Sequence, residues 1–338
     1  MTQERKKDAI WRVIYFRILN VHLKNIIKHV PILSAAINGW QFASLAFADS
    51  SEGYRRKQEW KSFYGALINP KFASKWFKIL NSPDLLEVVP YRNRLYLKPF
   101  RVYMSIRWTK KQKVKVILDT YRFILSKGEE FKQVISRSSN IEITRFKLNN
   151  STEFCLNLGY DERYRKEGEL VFSFECDQLG GLIAAATFSF EEIEMGRWVS
   201  RIACIQGLKT NDLNSPKIAQ KLLHGIRPKS LIVFIVQEFS RQLGLTAVYG
   251  AGDAIQAYRR KHAIHLQWWH AIQFDYDALW SESGGQRKSD GWYELPLTPV
   301  RKSFQEIKTN KRALYFRRYN FLDDLSIKIA EAVKRLVD

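Results

Sequence analysis

The chain has 338 residues, and 55 Lys and Arg against 34 Asp and Glu give it a net charge of +21. A hydrophobic share of 46% and an aromatic share of 14% exclude a disordered tail or a collagen-like polymer, and the length suits about two domains. Cys155, Cys176 and Cys204 lie more than twenty residues apart, which excludes a disulfide framework and a zinc ribbon, and no apolar run reaches the ~18–20 residues that cross a bilayer.

The charge is uneven. Residues 1–130 hold 25 basic and 10 acidic side chains, residues 131–300 hold 20 and 19, and residues 301–338 hold 10 and 5. Two basic ends around a neutral middle point to an anionic surface as partner, and an anionic membrane is the expected one. The start, MTQERKKDAIWRVIYFR, is too often interrupted by charge for a secretory signal. The expected location is the reducing cytoplasm, peripheral on the inner membrane.

Residues 1–140 read as a basic, mostly helical region. Ile10, Ile14, Ile18 and Val21 recur at helical spacing, with Arg17, Lys24 and Lys28 forming a narrow basic stripe on the same helix. A further helical stretch is ALINPKFASKWFKILN, residues 66–81. From about Phe146 the pattern turns to strands: CLNLGY, GELVFSFEC, GLIAAATFSFE and RWVSRIACIQGL, each bounded by Gly or charged turns. A short helix from Pro216 to His224, a longer one from Pro228 to Leu243 and the strand LTAVYG follow. Another helix is expected from near Asp253, then the strand GWYELPL. Residues 301–338 read as a basic, amphipathic helix. The fold class is α+β, divided into 1–140, an α/β domain at 141–300, and the C-terminal helix.

Two segments carry chemistry. In His224-Gly225-Ile226-Arg227-Pro228-Lys229-Ser230, Pro228 suits the first helical position and Gly225 a tight entry. Free N–H groups with Arg227 and Lys229 would favour an anion such as a phosphate there. The plainer alternative is a well-formed helix start with cations in water. In Asp275-Tyr276-Asp277-Ala278-Leu279-Trp280-Ser281-Glu282, Glu282 or Asp277 beside aromatic rings is a candidate base, and Tyr276 a candidate acid. The plainer alternative is that Asp275 caps a helix and Trp280 packs into the core.

Other motifs say less. His262, His265 and His270 lie beside Trp268 and Trp269 without alternating carboxylates or thiols, so packing or an aromatic membrane patch is expected rather than a metal. Tyr249-Gly250-Ala251-Gly252 starts like a dinucleotide fingerprint, but Ile255 stands where the third glycine belongs. Lys311, Arg312, Arg317 and Arg318, interleaved with Tyr315, Phe316 and Tyr319, suit either phosphate head groups or a helix interface. No base-reading motif accompanies the charge, so nucleic acid is not the expected partner.

Five blocks, IACIQGLK (202–209), LLHGIRPKSL (222–231), DYDALWSESGG (275–285), WYELPL (292–297) and KRALYFRRY (311–319), resemble the VirK/YbjX family of bacterial proteins over most of the chain. That resemblance implies a role in virulence, tolerance of antimicrobial peptides and the Gram-negative cell envelope. At the level of element order, the middle region looks like the GNAT acyltransferase fold, which binds acyl-CoA where its fourth strand meets a helix. The Arg/Gln-x-x-Gly-x-Gly/Ala loop of that fold is absent, since KTNDLNSPKIAQ has no glycine. The resemblance implies transfer of an acyl or aminoacyl group from acyl-CoA, or another phosphate-bearing donor, to an amine or hydroxyl on an envelope precursor or peptide. Gly225, Arg227, Lys229 and Ser230 would hold the donor, Glu282 or Asp277 would deprotonate the acceptor, and Tyr276 would protonate the leaving group. The alternative is a non-enzymatic module that binds anionic lipid or protein.

Overall fold

The computed structural model describes residues 31–338 apart from 87, 137–139, 149–150, 208–214 and 258–273. The stripe of Arg17, Lys24 and Lys28, the histidines at 262, 265 and 270, and most of the helix expected after Asp253 lie outside these described residues. Ten α-helices and one eight-stranded mixed sheet among the described residues make the fold α+β, as expected. The chain forms two compact units, residues up to Arg101 and residues from Val102 onward.

In the first unit, helices α1 (Pro31–Ala46) and α2 (Glu52–Ile68) form a hairpin joined by a short turn. The stretch 66–81 is not one helix. α2 ends at Ile68, and Pro70, which has no N–H to donate, starts α3 (Pro70–Leu80) at its first turn. Ala73, Trp76, Phe77 and Leu80 recur at helical spacing on α3 and are buried. The Trp76 indole N–H donates to the Tyr96 carbonyl at 3.0 Å, pinning the 3₁₀ segment Asn93–Phe100 beyond the short α4 (Pro83–Leu86).

The second unit opens with α5 (Lys110–Leu125), started by a reciprocal Thr109–Gln112 capping box, and α6 (Glu129–Ser136). These two helices precede residue 140 yet belong to the unit that contains the sheet. Strands β1 (Ile141–Leu148), β2 (Thr152–Gly159), β3 (Leu170–Cys176), β4 (Gly181–Glu194) and β5 (Arg197–Gly207) form an antiparallel meander. β5 is followed by α7 (Ser215–Leu222) and α8 (Pro228–Gln242), and β6 (Ala247–Ala251) then pairs with β5 in parallel. After α9 (Tyr276–Glu282), β7 (Gln286–Arg287) and β8 (Trp292–Leu295) complete the order β1-β2-β3-β4-β5-β6-β8-β7.

Every residue of α8 from Leu231 to Ser240 is buried, because the helix packs on β4, β5 and β6 and is itself covered by α10 (Arg312–Val337). That double burial explains its apolar run, LIVFIV, which no single helical stripe would need. Phe239 of α8 meets Phe172 edge-on with ring centroids 5.0 Å apart, and Phe154 stacks on Phe174 at 5.1 Å. α10 buries Leu325, Ile329, Val333 and Leu336. The α-helix begins only at Arg312, so residues 301–311 depart from the helix expected there.

Candidate functional site

The strands β5 and β6 part company. Val199 to Ile202 pair with Ala247 to Gly250, but β6 stops at Ala251 while β5 runs on to Gly207. Just past the paired stretch β5 carries a bulge: Thr187 faces Cys204 and Phe188 faces Ile202, leaving Ala203 as an extra residue. The free edge of β5 beyond the bulge would expose backbone donors and acceptors in the interior. Tyr276, the first residue of α9, fills that place. Its hydroxyl accepts from the Ile205 N–H at 3.2 Å and donates to the Ile205 carbonyl at 3.0 Å.

Other side chains converge on the same spot. The Cys204 thiol lies 3.5 Å from the Tyr276 hydroxyl and accepts from the Gln206 amide at 3.0 Å. Burial, then the neighbouring Glu167 carboxylate, push the Cys204 thiol far above its usual range, so it stays protonated. Burial, then Cys204, likewise hold Tyr276 protonated well above its ordinary value of 10.0. Lys229, in the first turn of α8, reaches across the end of β5: its Nζ sits 3.2 Å from the centroid of the Phe274 ring. Burial lowers its pKa, while Cys204 opposes the shift.

Glu167 arrives by a backbone device. Gly168 lies so close to β4 that a Cβ there would stand 2.7 Å from the Phe188 carbonyl oxygen. Only glycine lets the chain lie against the strand with Glu167 and Glu169 both fully buried on either side of it. Glu169 accepts from the Tyr103 hydroxyl at 2.7 Å and the Tyr121 hydroxyl at 2.5 Å, while its own N–H donates to Ser189 Oγ at 3.0 Å. That network anchors the loop that carries Glu167.

The segment 224–230 forms the entry to α8. His224 and Gly225 take left-handed φ values of 52° and 77°, and Pro228 occupies the first helical position. No side chain caps this helix, so its first-turn N–H groups are not met by a capping oxygen. Arg227 is exposed at the N-cap, and Ser230 lies in the first turn. α10 docks on the same turn, with Arg318 Nε donating to the His224 carbonyl at 3.2 Å. Of the two readings of the C-terminal basic cluster, Arg318 thus serves the helix interface, while Phe316 stays 67% exposed.

The carboxylates of 275–282 divide. Asp275 caps α9 by accepting from the Ala278 N–H at 2.7 Å, and Trp280 is buried with its indole N–H donating to the Ala251 carbonyl at 2.8 Å. Asp277 accepts from the Asp253 N–H at 2.7 Å, holding the turn after β6. Glu282, more than 50 positions from Arg227, forms an exposed ion pair with it. Arg227, Lys229, Tyr276 and Glu282 therefore share one end of the sheet, whereas Asp277 is engaged in a turn.

Next to this end, a groove of about 110 Å³ is lined by Tyr160, Asp161, Tyr164, Ser173 and Glu175 among others. Tyr164 lines the groove, and burial raises its pKa while the Arg163 charge opposes the shift. Sequence reasoning missed Glu167, Cys204, Gln206 and Tyr164. Cys204 and Gln206 sit inside the IACIQGLK block, which was a signal, but nothing local marks Glu167. Among the described residues no group of three or more His, Cys, Asp or Glu is arranged to hold a metal ion, and no helix is long and apolar enough to cross a membrane.

Comparison with known proteins agrees with the five blocks. Residues 51–331 match the family described as "Protein of unknown function (DUF535)". The chain is 27% identical over 297 residues to "Uncharacterized protein YbjX" of Escherichia coli, covering 86% of this chain and 88% of that one. An uncharacterized protein of Haemophilus influenzae is 35% identical over 111 residues, covering 33% of this chain and 35% of that one. A second from the same organism is 31% identical over 131 residues, covering 38% and 43%. The chain thus belongs to the DUF535 family, the VirK/YbjX family.

Proposed function

We propose that this protein is an acyltransferase-like enzyme of the cell envelope, which moves an acyl or aminoacyl group from a phosphate-bearing donor to an amine or hydroxyl. The observation that carries this reading is the parting of β5 and β6, with a bulge on β5 and the N-terminus of α8 at the opening. The order β5–α7–α8–β6–α9–β7–β8 supports the GNAT resemblance in its strand, helix, strand, helix and final hairpin, with α7 as an added helix. A donor's phosphates would meet the first-turn N–H groups of α8 together with Arg227, Lys229 and Ser230, while Gly225 shapes the turn and leaves room for Arg318 of α10. Lys229 is half-buried, so its ammonium would count for more against a phosphate than one in open water.

Tyr276 would be the acid: its hydroxyl lies at the gap between the strands, and giving its proton to a leaving group would break its hydrogen bond to the Ile205 carbonyl. Glu282 is the carboxylate available as base, since Asp277 is bound to the Asp253 N–H. Donor phosphates would compete with Glu282 for Arg227, which would release the carboxylate as the donor binds. The location that goes with this reading is the cytoplasmic face of the inner membrane, with the basic surfaces on anionic lipid.

A thermal-shift and calorimetric screen against CoA, acetyl-CoA, long-chain acyl-CoA and adenylates tests it, repeated with Arg227→Ala. A donor that stabilises the wild type and not the variant supports the site, since selective binding to the native state raises stability. No response to any donor sinks it.

A second reading, a non-enzymatic module that binds anionic lipid or protein, draws on a specific observation. Asp275 and Asp277 are engaged by backbone N–H groups, and Glu282 is solvated in an ion pair, as a binding protein would leave them. Vesicle binding without any donor response favours that module.

A further inference from the structure

Helix α2 buries Gln58, Glu59 and Ala66 and presents a different kind of surface to solvent. At 100° per residue, Tyr54, Lys57, Trp60, Lys61, Tyr64 and Ile68 fall within an arc of about 120°. Tyr54 is 49%, Trp60 48%, Tyr64 56% and Ile68 78% exposed, and Lys57 and Lys61 are exposed beside them. The stripe runs from residue 54 to residue 68, about 21 Å along the helix at its usual rise. Trp60 and Tyr64 stack at 5.6 Å, and Trp40 of α1 meets Trp60 edge-on at 4.8 Å, so the rings are braced rather than loose.

No carboxylate interrupts the stripe. Glu59 lies on the buried side with Arg55 Nε 3.7 Å away, and Glu52 is held by Arg56 at 2.6 Å. Across residues 31–101, 11 Lys and Arg face 5 Asp and Glu. A face built for another part of a folded protein would bury its rings and pair its lysines. This one leaves four large side chains 48–78% exposed, on a convex helix, with cations between them.

We infer that the Tyr54–Ile68 face of α2 docks on an anionic bilayer, its rings entering the headgroup layer and Lys57 and Lys61 reaching lipid phosphates. Trp and Tyr suit that layer because each joins an apolar ring to a polar tip. Lysine suits it because a flexible apolar stem carries the ammonium outward to the phosphates. The inference deepens the membrane association that accompanies the proposed function. It rests on α2 alone, so it stands or falls independently of acyl transfer.

The test is co-sedimentation of the full chain with vesicles of mixed phosphatidylcholine and phosphatidylglycerol, against phosphatidylcholine alone. Each lysine near an anionic surface is worth about fivefold in partitioning, so Lys57→Glu with Lys61→Glu should lower binding at least ~25-fold. Trp60→Ser with Tyr64→Ser should lower it about tenfold, through lost apolar burial. A matched pair on exposed lysines of α7, Lys217→Glu with Lys221→Glu, should leave most binding intact.

Three binding results overturn the inference: equal loss with the α7 pair, equal binding to neutral vesicles, or unchanged binding in both α2 variants. Thermal melts of the α2 variants separate lipid from an internal occupant. A large drop in melting temperature would mean that the stripe is covered by protein, which also overturns the inference. Donor binding in the screen above reads out separately, so the two proposals can fail independently.

Discussion

The Tyr276 hydroxyl satisfies both backbone polar groups of Ile205, accepting from its N–H at 3.2 Å and donating to its carbonyl at 3.0 Å. One side chain at the start of α9 thereby stands in for the strand pairing that β5 loses where β6 ends. This closure by a side chain brings the start of α9 to the end of β5, beside Lys229 of α8.

Tyr276→Phe should therefore destabilise the protein, since phenylalanine leaves the Ile205 N–H and carbonyl buried without partners. The expected cost is on the order of 2–3 kcal/mol. Urea denaturation of the purified variant checks it. A cost near zero would mean that water replaces the hydroxyl.

Arg227→Ala and Glu282→Gln should each leave stability nearly unchanged. Their ion pair is exposed, with about half of each side chain in water, and such pairs contribute about 0–1 kcal/mol. Donor binding should move in opposite directions, weakening in Arg227→Ala and strengthening in Glu282→Gln as Arg227 is freed. Calorimetric titration with acetyl-CoA separates these outcomes.

Gly225→Ala should cost about 1–2 kcal/mol, because φ is +77° and a Cβ there would lie 2.9 Å from the Arg318 guanidinium. The same substitution should loosen α10 at its docking turn. Hydrogen exchange across residues 312–325, compared with wild type, would register that local loss.

The imidazole of His224 titrates below its usual value of 6.5, first through burial and then through the charges of Arg317 and Arg318. In the unfolded chain it takes up a proton near pH 6.5, and in the folded protein only at lower pH. Its contribution to stability is therefore fully present above about pH 6.5 and declines as pH falls from there through the folded value. His224→Asn, which tolerates the left-handed backbone, should remove this part of the pH dependence. Denaturation midpoints for both proteins between about pH 5 and 7.5 test the sign.

The thiols should be slow. Burial, then the Glu142 charge, push Cys155 up to about 11, and burial raises Cys176 and Cys204 as well. A thiol reagent at pH near 8 should react sluggishly with the native protein and with all three cysteines once it is unfolded. A fast native thiol would mark a reactive cysteine that this structure does not contain among its described residues.

Much of the second unit was legible because its signals are local. Strand runs such as GELVFSFEC and GLIAAATFSFE, bounded by turns, correspond to β3 and β4, and Pro228 does start the long helix α8. β1 was missed, since no strand was read before CLNLGY and IEITRFKL mixes apolar and charged residues like a loop. The break at Asn69 was missed because the apolar spacing continues across it, while Pro70 alone carries the interruption. Asp275 as cap and Trp280 as core followed from the local pattern, and both are observed.

By itself the sequence determined the element types, the segregation of charge to the two ends, family membership through five blocks, and the composition of the α8 entry. Periodicity, turn chemistry and proline act over a few residues, so a single chain states them directly. Only the tertiary structure decided that Tyr276 closes the edge of β5, that Arg227 meets Glu282, that Asp277 belongs to a turn, and that Glu167 is buried beside Cys204. Those relations join positions 24–71 residues apart through a parallel strand pair, a bulge and a glycine contact. Their geometry depends on how the sheet opens, which no local pattern encodes.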